Sequence, residues 1–449
     1  MLKLTKVKIN NLLRVRDYTI IFEDNKLILV GENGSGKTTV FRLLYYVLST
    51  EWESIHNVYF DTIELYFDSK EPIVIESSWF PSIDEKLLNM ILRRYPINFK
   101  KDISSRNIYD YIIDLLAEKD TSNSKSEYVF FNEIIHYFPQ ENMMNIKRVS
   151  KLIRDNFPTM ILYLPTYRRI EEQFKNIFSS DVVKEIDDFR NKHKKDNSIE
   201  LIEFGMDDVD EAVQNKQASL REFSRTNQNK LTLGYLGHVI NESYNNLSGA
   251  NKIKQLSDEQ INDVLARIEE DILSAEQKQR IFDIITQVKN DNWSRIPKHV
   301  KMICFYFTML LEFHQALEQQ EIPFISFRDI CNKYLIYNRI KYDSSTFSCK
   351  PYNIAGDFTE EIRFQDLSSG EKQIVSIFSH LNLSNDSNFF VFIDEPELSL
   401  SVEWQKSFLV DINKSINCVG LIATTHSPFI FDNELEKYVH GINEFCTRG

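Results

Sequence analysis

The chain has 449 residues, 42% hydrophobic and 27% charged, so it has ample apolar material for a buried core, and intrinsic disorder is excluded as its default state. This length fits two or three domains, or one domain split by a large insertion. The formal net charge of -13 argues against a protein that coats nucleic acid by bulk electrostatics, although a local basic stripe could still bind DNA.

Short strands and one helix are predicted in the N-terminal part of the chain. Strand patterns occur at 3–10, 18–22, 26–30, 62–67 and 72–76. The helix predicted from Lys37 onward places apolar residues on one face, which suits packing against a sheet. Its buried face is predicted to consist of Val40, Leu43, Leu44 and Val47.

From about residue 85 to residue 345 the pattern is mostly helical, interrupted by a buried strand at 160–164. No long unbroken heptads occur, so a compact helical domain is expected and not a long coiled coil. Strand patterns return near residue 350 and continue to His426. The predicted fold class is α/β, with one domain assembled from N- and C-terminal segments and interrupted by a mostly α-helical insertion.

The domain boundaries follow from this pattern. Residues 1–168 are predicted to form the N-terminal part of the α/β domain, with a helical elaboration from about 85. Residues 169–345 are predicted to form the helical insertion, and 346–449 the C-terminal part.

Three features concern the compartment. The five cysteines are scattered without CxxC spacing, so neither a disulfide framework nor a zinc site is indicated. The longest apolar run, 302–311, is about half of a membrane span and is better explained as a buried helix. The polar N-terminus is unlike a signal peptide. A cytoplasmic protein without a membrane segment is therefore expected.

A glycine-rich loop joins the strand at 26–30 to the following helix. Residues 31–38, GENGSGKT, match the phosphate-binding pattern GxxxxGK[ST] without a mismatch. Backbone N–H groups of such a loop and the helix N-terminus bind phosphates, Lys37 reaches the β and γ phosphates, and Thr38 can bind Mg²⁺. A chance match without function is the alternative. The residues predicted to bind ATP here are Asn33, Gly34, Ser35, Gly36, Lys37, Thr38 and Thr39.

Two carboxylates follow the apolar strand at 389–393. Asp394 is predicted to hold Mg²⁺, directly or through water, and Glu395 to orient or deprotonate the attacking water. A buried strand with a polar end is the structural alternative, which the intact phosphate-binding loop argues against.

A second small-residue turn opens a helix at 367–373, LSSGEKQ. A helix N-terminus carrying Ser368 and Gly370 can hold a phosphate. The alternative is a plain N-cap at Ser368 or Ser369 with Glu371 or Lys372 in the first turn.

A strand that ends in a histidine comes last. Residues 420–428 read GLIATTHSP and place His426 at the strand end, after the ELSL segment at 397–400. A histidine at a strand end is often structural, but its position after the other motifs favours a role in the site.

These motifs stand in the order of ATP-binding-cassette (ABC) proteins: Walker A at 31–38, signature at 367–371, Walker B at 389–395, and a switch histidine at 426. The signature differs from LSGGQ or LSGGE by a serine in place of the first glycine. The chain resembles the RecF, Rad50, SMC and OLD branch of P-loop ATPases. Its DEPELSL, THSP and LPTYRRIE segments are similar to bacterial anti-phage ATPases such as PtuA of Septu and AriA of PARIS.

The resemblance implies roles for several residues. Ser368 and Gly370 would contact the ATP of a neighbouring copy, which implies an ATP-sandwich homodimer or a higher homo-oligomer. His426 would sense the γ-phosphate. Arg14 or Arg16 would contact nucleotide as in Rad50-like heads, a surface arginine being the alternative. The Q-loop would be either Gln140 or the segment at 163–169.

The resemblance also implies partners. The anti-phage ATPases hold or license a separate effector nuclease or toxin, so such a partner is expected, with a phage-encoded protein as a candidate trigger. No nuclease domain is expected in the chain itself, because few residues follow His426 and the acidic residues at 207–211 suit a helix start better than a metal site.

Two other functions stay open. The first is a RecF-like repair ATPase that binds DNA in its closed dimer. The second is an assembly scaffold that binds ATP with negligible hydrolysis. The departures from the family motifs indicate slow hydrolysis.

Overall fold

The structure is a computed structural model that describes residues 3–32, 34–55, 58–68, 70–80, 139–165, 198–200, 206–245, 253–268, 272–290, 293–354, 359–384 and 388–448. The predicted helical elaboration from about 85, Arg168 and Arg169 lie outside these residues. The chain divides into two compact units, a first unit of Met1–Phe204 with Asp386–Gly449 and a second unit of Gly205–Asn385. The domain boundaries of the sequence analysis stay a prediction.

The strands of the described residues are β1 (Leu4–Leu12), β2 (Arg16–Ile21), β3 (Lys26–Val30), β4 (Thr62–Phe67), β5 (Ile73–Glu76), β6 (Met160–Leu164), β7 (Ser198–Glu200), β8 (Asn338–Asp343), β9 (Ser348–Asn353), β10 (Glu360–Glu361), β11 (Phe389–Asp394), β12 (Cys418–Thr425), β13 (Val439–Gly441) and β14 (Cys446–Arg448).

The α-helices are α1 (Lys37–Leu48), α2 (Trp52–Ile55), α3 (Gln140–Asn156), α4 (Met206–Ile240), α5 (Asp258–Ala266), α6 (Ala275–Asn290), α7 (Lys298–Tyr334), α8 (Ser369–Leu383) and α9 (Val402–Lys414). Within the described part of the chain, no helix has both the length and the apolar character needed to cross a membrane.

Two sheets form the first unit. One has the order β14-β2-β1-β4-β5, with every neighbouring pair antiparallel. The other has the order β13-β3-β12-β11-β6-β7, with every pair parallel. The parallel sheet combines strands from both ends of the chain. The predicted α/β class, in which N- and C-terminal segments build one domain around an intervening, mostly helical region, is therefore confirmed.

One hydrophobic core joins both sheets of the first unit to α1. The predicted inner face of α1, Val40, Leu43, Leu44 and Val47, is buried. Aromatic contacts bind this helix to the parallel sheet, since Tyr45 stacks on Tyr163 at a centroid distance of 4.2 Å and Phe41 meets Phe392 edge-on at 5.4 Å. Because these rings are buried, α1 is packed tightly against the parallel sheet.

The second unit is mostly helical, with a small antiparallel sheet of β8, β9 and β10. A core of apolar side chains joins α5, α6 and the first half of α7. The apolar run at 302–311 lies in α7, as predicted, and buries Cys304, Phe307 and Leu311. Tyr334 at the end of α7 stacks on Phe378 of α8, with ring centroids 5.8 Å apart.

A glycine in β12 lies where no side chain fits. A Cβ at Gly420 would come within 2.3 Å of the Phe390 ring and 2.9 Å of the Asn25 carbonyl oxygen. Because Phe390 is fully buried, we expect Gly420→Ala to lower the free energy of unfolding by about 1–3 kcal/mol, measured as a fall in Tm. Gly237→Ala in α4, where an added Cβ meets no atom within 4 Å, is the control and should stabilise by about 1 kcal/mol. An unchanged Tm for Gly420→Ala would contradict the packing described.

Candidate functional site

Three neighbouring parallel strands bring the predicted site residues to one edge of the sheet. In the order β3-β12-β11, Thr425 is opposite Val30, and Asp394 is opposite Thr424. The glycine-rich loop, the switch histidine and the carboxylate pair follow these strands directly. Because carboxyl ends of parallel strands share one edge, the three motifs meet in space, where α/β proteins bind ligands.

Positive backbone angles shape the glycine-rich loop. Gly34 and Gly36 have φ of 77° and 97°, a region that side-chain-bearing residues rarely adopt. A Cβ at Gly36 would also lie 3.3 Å from the Tyr18 hydroxyl. Thr38 and Thr39 follow as half-buried residues in the first turn of α1. Asn33 lies outside the described residues, and its predicted contact with ATP stays a prediction.

Lys37 is the central cation of the site. Its Nζ donates hydrogen bonds to the carbonyl oxygens of Gly31 at 2.8 Å and Glu32 at 3.1 Å, and lies 3.0 Å from Nε2 of His426. Burial lowers the pKa of Lys37, and the neighbouring carboxylates Glu395 and Asp394 oppose that shift. A poorly hydrated ammonium group beside the start of a helix is suited to binding phosphate.

The two carboxylates have different surroundings. Asp394 is 1% exposed and accepts a hydrogen bond from the Thr424 hydroxyl. Glu395 is half-buried, has left-handed backbone angles of φ 49° and ψ 62°, and donates its N–H to the Thr424 carbonyl at 3.0 Å. Such strain in a non-glycine residue persists where the surrounding structure enforces it, and it clusters at functional sites.

Glu395 also lies close to the imidazole of His426. Its Oε1 lies 3.6 Å from Nε2 of His426. Burial, followed by the charge of Asp394, raises the pKa of Glu395, whereas His426 and Lys37 lower it. A carboxylate with a raised pKa is a more effective general base near neutral pH than an ordinary glutamate.

The donor set fits Mg²⁺. The Thr38 hydroxyl and the Asp394 carboxylate are hard oxygen ligands of the kind this ion prefers. In the described part of the chain, no group of three or more histidine, cysteine or acidic side chains could hold a metal ion. Mg²⁺ commonly takes its remaining ligands from water and phosphate oxygens, so a site of two protein oxygens is consistent with the ion.

The signature residues lie in the second unit, at the start of α8. Ser368 is the N-cap, its Oγ accepts from the Glu371 N–H, and the Glu371 carboxylate accepts from the Ser368 N–H at 3.0 Å. Asn338 donates to the same carboxylate at 3.0 Å. The capping box is thus present, while an added Cβ at Gly370 would meet no atom within 4 Å. Phosphate binding by Ser368 and Gly370 stays a prediction.

The two candidate arginines have different environments. Arg14 is exposed and lies over the Tyr59 ring, 4.3 Å from its centroid. Arg16 donates to the carbonyl oxygen of Ser35 at 3.2 Å and therefore contacts the glycine-rich loop. Nucleotide contact by Arg14 stays a prediction, and Arg16 is the better placed of the two. The Q-loop candidate Gln140 is exposed at the first residue of α3.

Sequence reasoning missed two residues of this site. Thr424 contacts Asp394 only because β12 pairs with β11 in this register. Glu397 accepts hydrogen bonds from the chain around His426. For Glu397 the available signal was weak, a carboxylate two residues after Glu395. The acidic residues at 207–211 lie in the opening turns of α4, as expected.

Comparisons with known proteins identify the family of the chain. The model of a family described as "AAA ATPase domain" matches residues 2–431. The "Retron Vc95 probable ATPase" of Vibrio cholerae serotype O1 biovar El Tor is 28% identical over 99 residues, which are 20% of this chain and 19% of that protein. The chain therefore matches about a fifth of the length of this curated relative.

Solved structures of Smc heads are also similar. The Smc head domain with an extended coiled coil bound to the C-terminal domain of ScpA, from Pyrococcus furiosus, is 12% identical and covers 96% of this chain and 91% of its own, with a TM-score of 0.33. The Smc head domain with a coiled coil and joint from Pyrococcus yayanosii is 13% identical and covers 96% and 93%, with a TM-score of 0.29.

Proposed function

Because the chain belongs to the family of AAA ATPase domains, we propose that it is a cytoplasmic ATPase subunit of an anti-phage defence system, which holds or controls a separate toxic effector nuclease. Its recognition as an ABC-type ATPase is confirmed by the family match over residues 2–431. The observation that carries the ATPase assignment is the convergence of Lys37, His426 and Glu395, separated by 3.0 and 3.6 Å. The defence role is supported by the anti-phage motif resemblance and by the match to a retron ATPase.

Each residue of the site has a separate role in ATP hydrolysis. Lys37 exchanges the carbonyl oxygens of Gly31 and Glu32 for the β and γ phosphates of ATP. Glu395 orients the attacking water and accepts its proton. His426 bonds to the γ-phosphate and so distinguishes ATP from ADP. Thr38 and Asp394 would hold Mg²⁺, which would act as a Lewis acid and offset the phosphate charge.

A second copy of the chain would complete the site. The N-terminus of α8 carries positive potential and small residues, which suits the γ-phosphate of ATP held by another copy. We expect the mass measured by light scattering to rise at least twofold with ATP, most persistently for Glu395→Gln, in which hydrolysis is blocked.

A charge at the signature tests this assembly. Gly370→Asp places an anion where the phosphate would lie, and the space around Gly370 is open, so the fold should tolerate it. We expect Gly370→Asp to bind ATP, but its mass in the presence of ATP should equal that of the nucleotide-free protein. Gly237→Asp, at another helix position with open space, is the control and should assemble as the wild type does. Assembly of Gly370→Asp like that of the wild type would rule out the sandwich.

The proposed partner is tested by co-expressing the tagged chain with its adjacent gene. The proteins that co-purify are identified, and the mass of the complex is measured with and without ATP. A stable complex with a nuclease-like protein, released or retained according to ATP, supports the defence role. A dimer that captures duplex DNA only with ATP favours repair instead. An assembly that binds ATP, keeps the same mass and hydrolyses none favours a scaffold.

A further inference from the structure

The carboxylate of Glu397 holds three consecutive residues, the last residue of β12 and the first two residues of the loop that follows. Oε2 accepts from the Thr425 hydroxyl at 2.9 Å. Oε1 accepts from the backbone N–H of His426 at 2.6 Å and of Ser427 at 3.2 Å. Glu397 opens the ELSL segment at 397–400, which by family resemblance occupies the D-loop position, and precedes His426 by 29 residues, so the residue joins the turn after Glu395 to the loop that carries His426.

The chemistry of these contacts favours a carboxylate. All three partners are donors, and an ionised glutamate is an acceptor at both oxygens. A glutamine in its place has one acceptor oxygen, and its NH₂ group could keep a contact with Thr425 only if that hydroxyl turned to donate to the Ser427 carbonyl oxygen, 3.4 Å away. Hydrogen bonds to an ionised group are also roughly twice as strong as neutral ones. Charge is therefore part of how this loop is held.

The imidazole of His426 depends on the same main chain. The Glu397 contact fixes the backbone at His426 itself, and the side chain then places Nε2 3.0 Å from Lys37 Nζ and 3.6 Å from Glu395 Oε1. A small rotation of this peptide would move Nε2 away from both groups. Misplacement by about 1 Å can cost a reaction about 100-fold in rate.

We propose that Glu397 is a positioning residue for ATP hydrolysis, which acts through His426 by holding that residue's backbone in register with Lys37 and Glu395. The inference rests on the proposed ATPase function. It also couples two segments that the motifs alone do not connect. A shift of the turn at 396–399 would move the backbone of His426, because Glu397 binds that backbone.

The loop has a second support that leaves the fold intact when the carboxylate is changed. Gln405 of α9 accepts from the Ser427 hydroxyl at 2.7 Å and donates to the Leu400 carbonyl at 3.1 Å. Removal of the Glu397 charge therefore loosens the peptide at His426 without releasing the whole loop.

The test is a double-mutant cycle on ATP hydrolysis, with kcat expressed per folded protein. We expect Glu397→Gln to lower kcat by roughly 10- to 100-fold while KM for ATP changes less than about threefold. In the His426→Ala background the same substitution should lower kcat almost no further, because Glu397 acts by positioning His426. Glu434→Gln is the matched control, since that glutamate forms an exposed ion pair with Lys414, and it should behave as the wild type.

A second variant separates geometry from charge. Glu397 also lies in the electrostatic environment of Lys37 and Glu395, so Glu397→Gln changes the local field. Thr425→Val removes the hydroxyl that donates to the carboxylate and accepts from the Ser427 N–H, without changing charge, and we expect it to lower kcat by a smaller factor than Glu397→Gln does. If Glu397→Gln has the same kcat as Glu434→Gln, the positioning role is wrong. It is also wrong if the fold-losses of kcat in Glu397→Gln and His426→Ala multiply in the double variant.

A readout without turnover separates this proposal from the ATPase assignment. If the wild type hydrolyses no ATP, the proposed activity fails, and the imidazole signals of ¹⁵N-histidine-labelled protein still report on the position of His426. We expect the signal that His426→Ala removes to shift in Glu397→Gln and to stay in place in Glu434→Gln. An unmoved signal in Glu397→Gln overturns the inference whether or not the protein is an ATPase.

Discussion

We expect Lys37→Ala to reduce kcat for ATP hydrolysis by about 100- to 1000-fold, the range found when a preorganised donor to developing charge is removed. The reason is the poor hydration of this ammonium group, which is 5% exposed and bonded to the carbonyl oxygens of the glycine-rich loop. Phosphate can replace those carbonyls with a stronger, charge-assisted interaction. Phosphate release measures the rate, and a fluorescent nucleotide measures the affinity, which should also weaken.

Lys414→Ala is the control for this substitution. Lys414 is more than half exposed and pairs with Glu434 on the surface, so its loss should leave kcat unchanged. Wild-type hydrolysis by Lys37→Ala would show that the glycine-rich loop is not the catalytic phosphate site. Equal losses in both variants would instead indicate a general effect of removing positive charge.

We expect Glu395→Gln to lower kcat by about 100- to 10,000-fold while ATP affinity is retained, because a general base contributes to the transition state and hardly to ground-state binding. Glutamine preserves the size of the side chain and removes its ability to accept a proton. Single-turnover hydrolysis and equilibrium binding measure the two effects separately. Weakened binding together with unchanged kcat would assign Glu395 to nucleotide binding instead.

The pH dependence of the rate follows from the same residue. Burial and the neighbouring Asp394 raise the pKa of Glu395 from 4.5, and only the deprotonated carboxylate accepts a proton. The rate should therefore be full above the raised pKa and fall as the pH is lowered through it, at a higher pH than for an ordinary glutamate. The residual activity of Glu395→Gln should lack this acidic limb. An acidic limb at the same pH in both proteins would assign it to another group.

Local sequence was sufficient where a feature is contiguous. The glycine-rich loop needs its small residues and its lysine within eight consecutive positions, so the pattern at 31–38 predicted both the turn and the helix that follows. Strands such as β3 and β11 are continuous apolar runs because both faces of a central parallel strand are buried. The inner face of α1 followed from helical spacing in the same way.

Contacts between distant segments had no such signal. Whether Arg14 or Arg16 contacts the loop depends on the turn between β1 and β2, in which Leu13 and Arg14 have positive φ. The capping box of Ser368 and Glu371 likewise has a further partner, Asn338 of strand β8, which donates to the Glu371 carboxylate. Sequence patterns identify the residues that are available for such contacts, but they do not show which partner each residue contacts.

The sequence by itself determined the α/β class, the order of the motifs, and the chemical groups of the site: Lys37, Thr38, Asp394, Glu395 and His426. Periodicity and contiguous motifs encode these features locally. Tertiary structure alone decided that β12 lies between β3 and β11, which sets Lys37 beside His426 and Thr424 on Asp394. It also decided the Glu397 contact, since a side-chain hydrogen bond across 29 residues depends on strand order and register, and neither is encoded by any short segment.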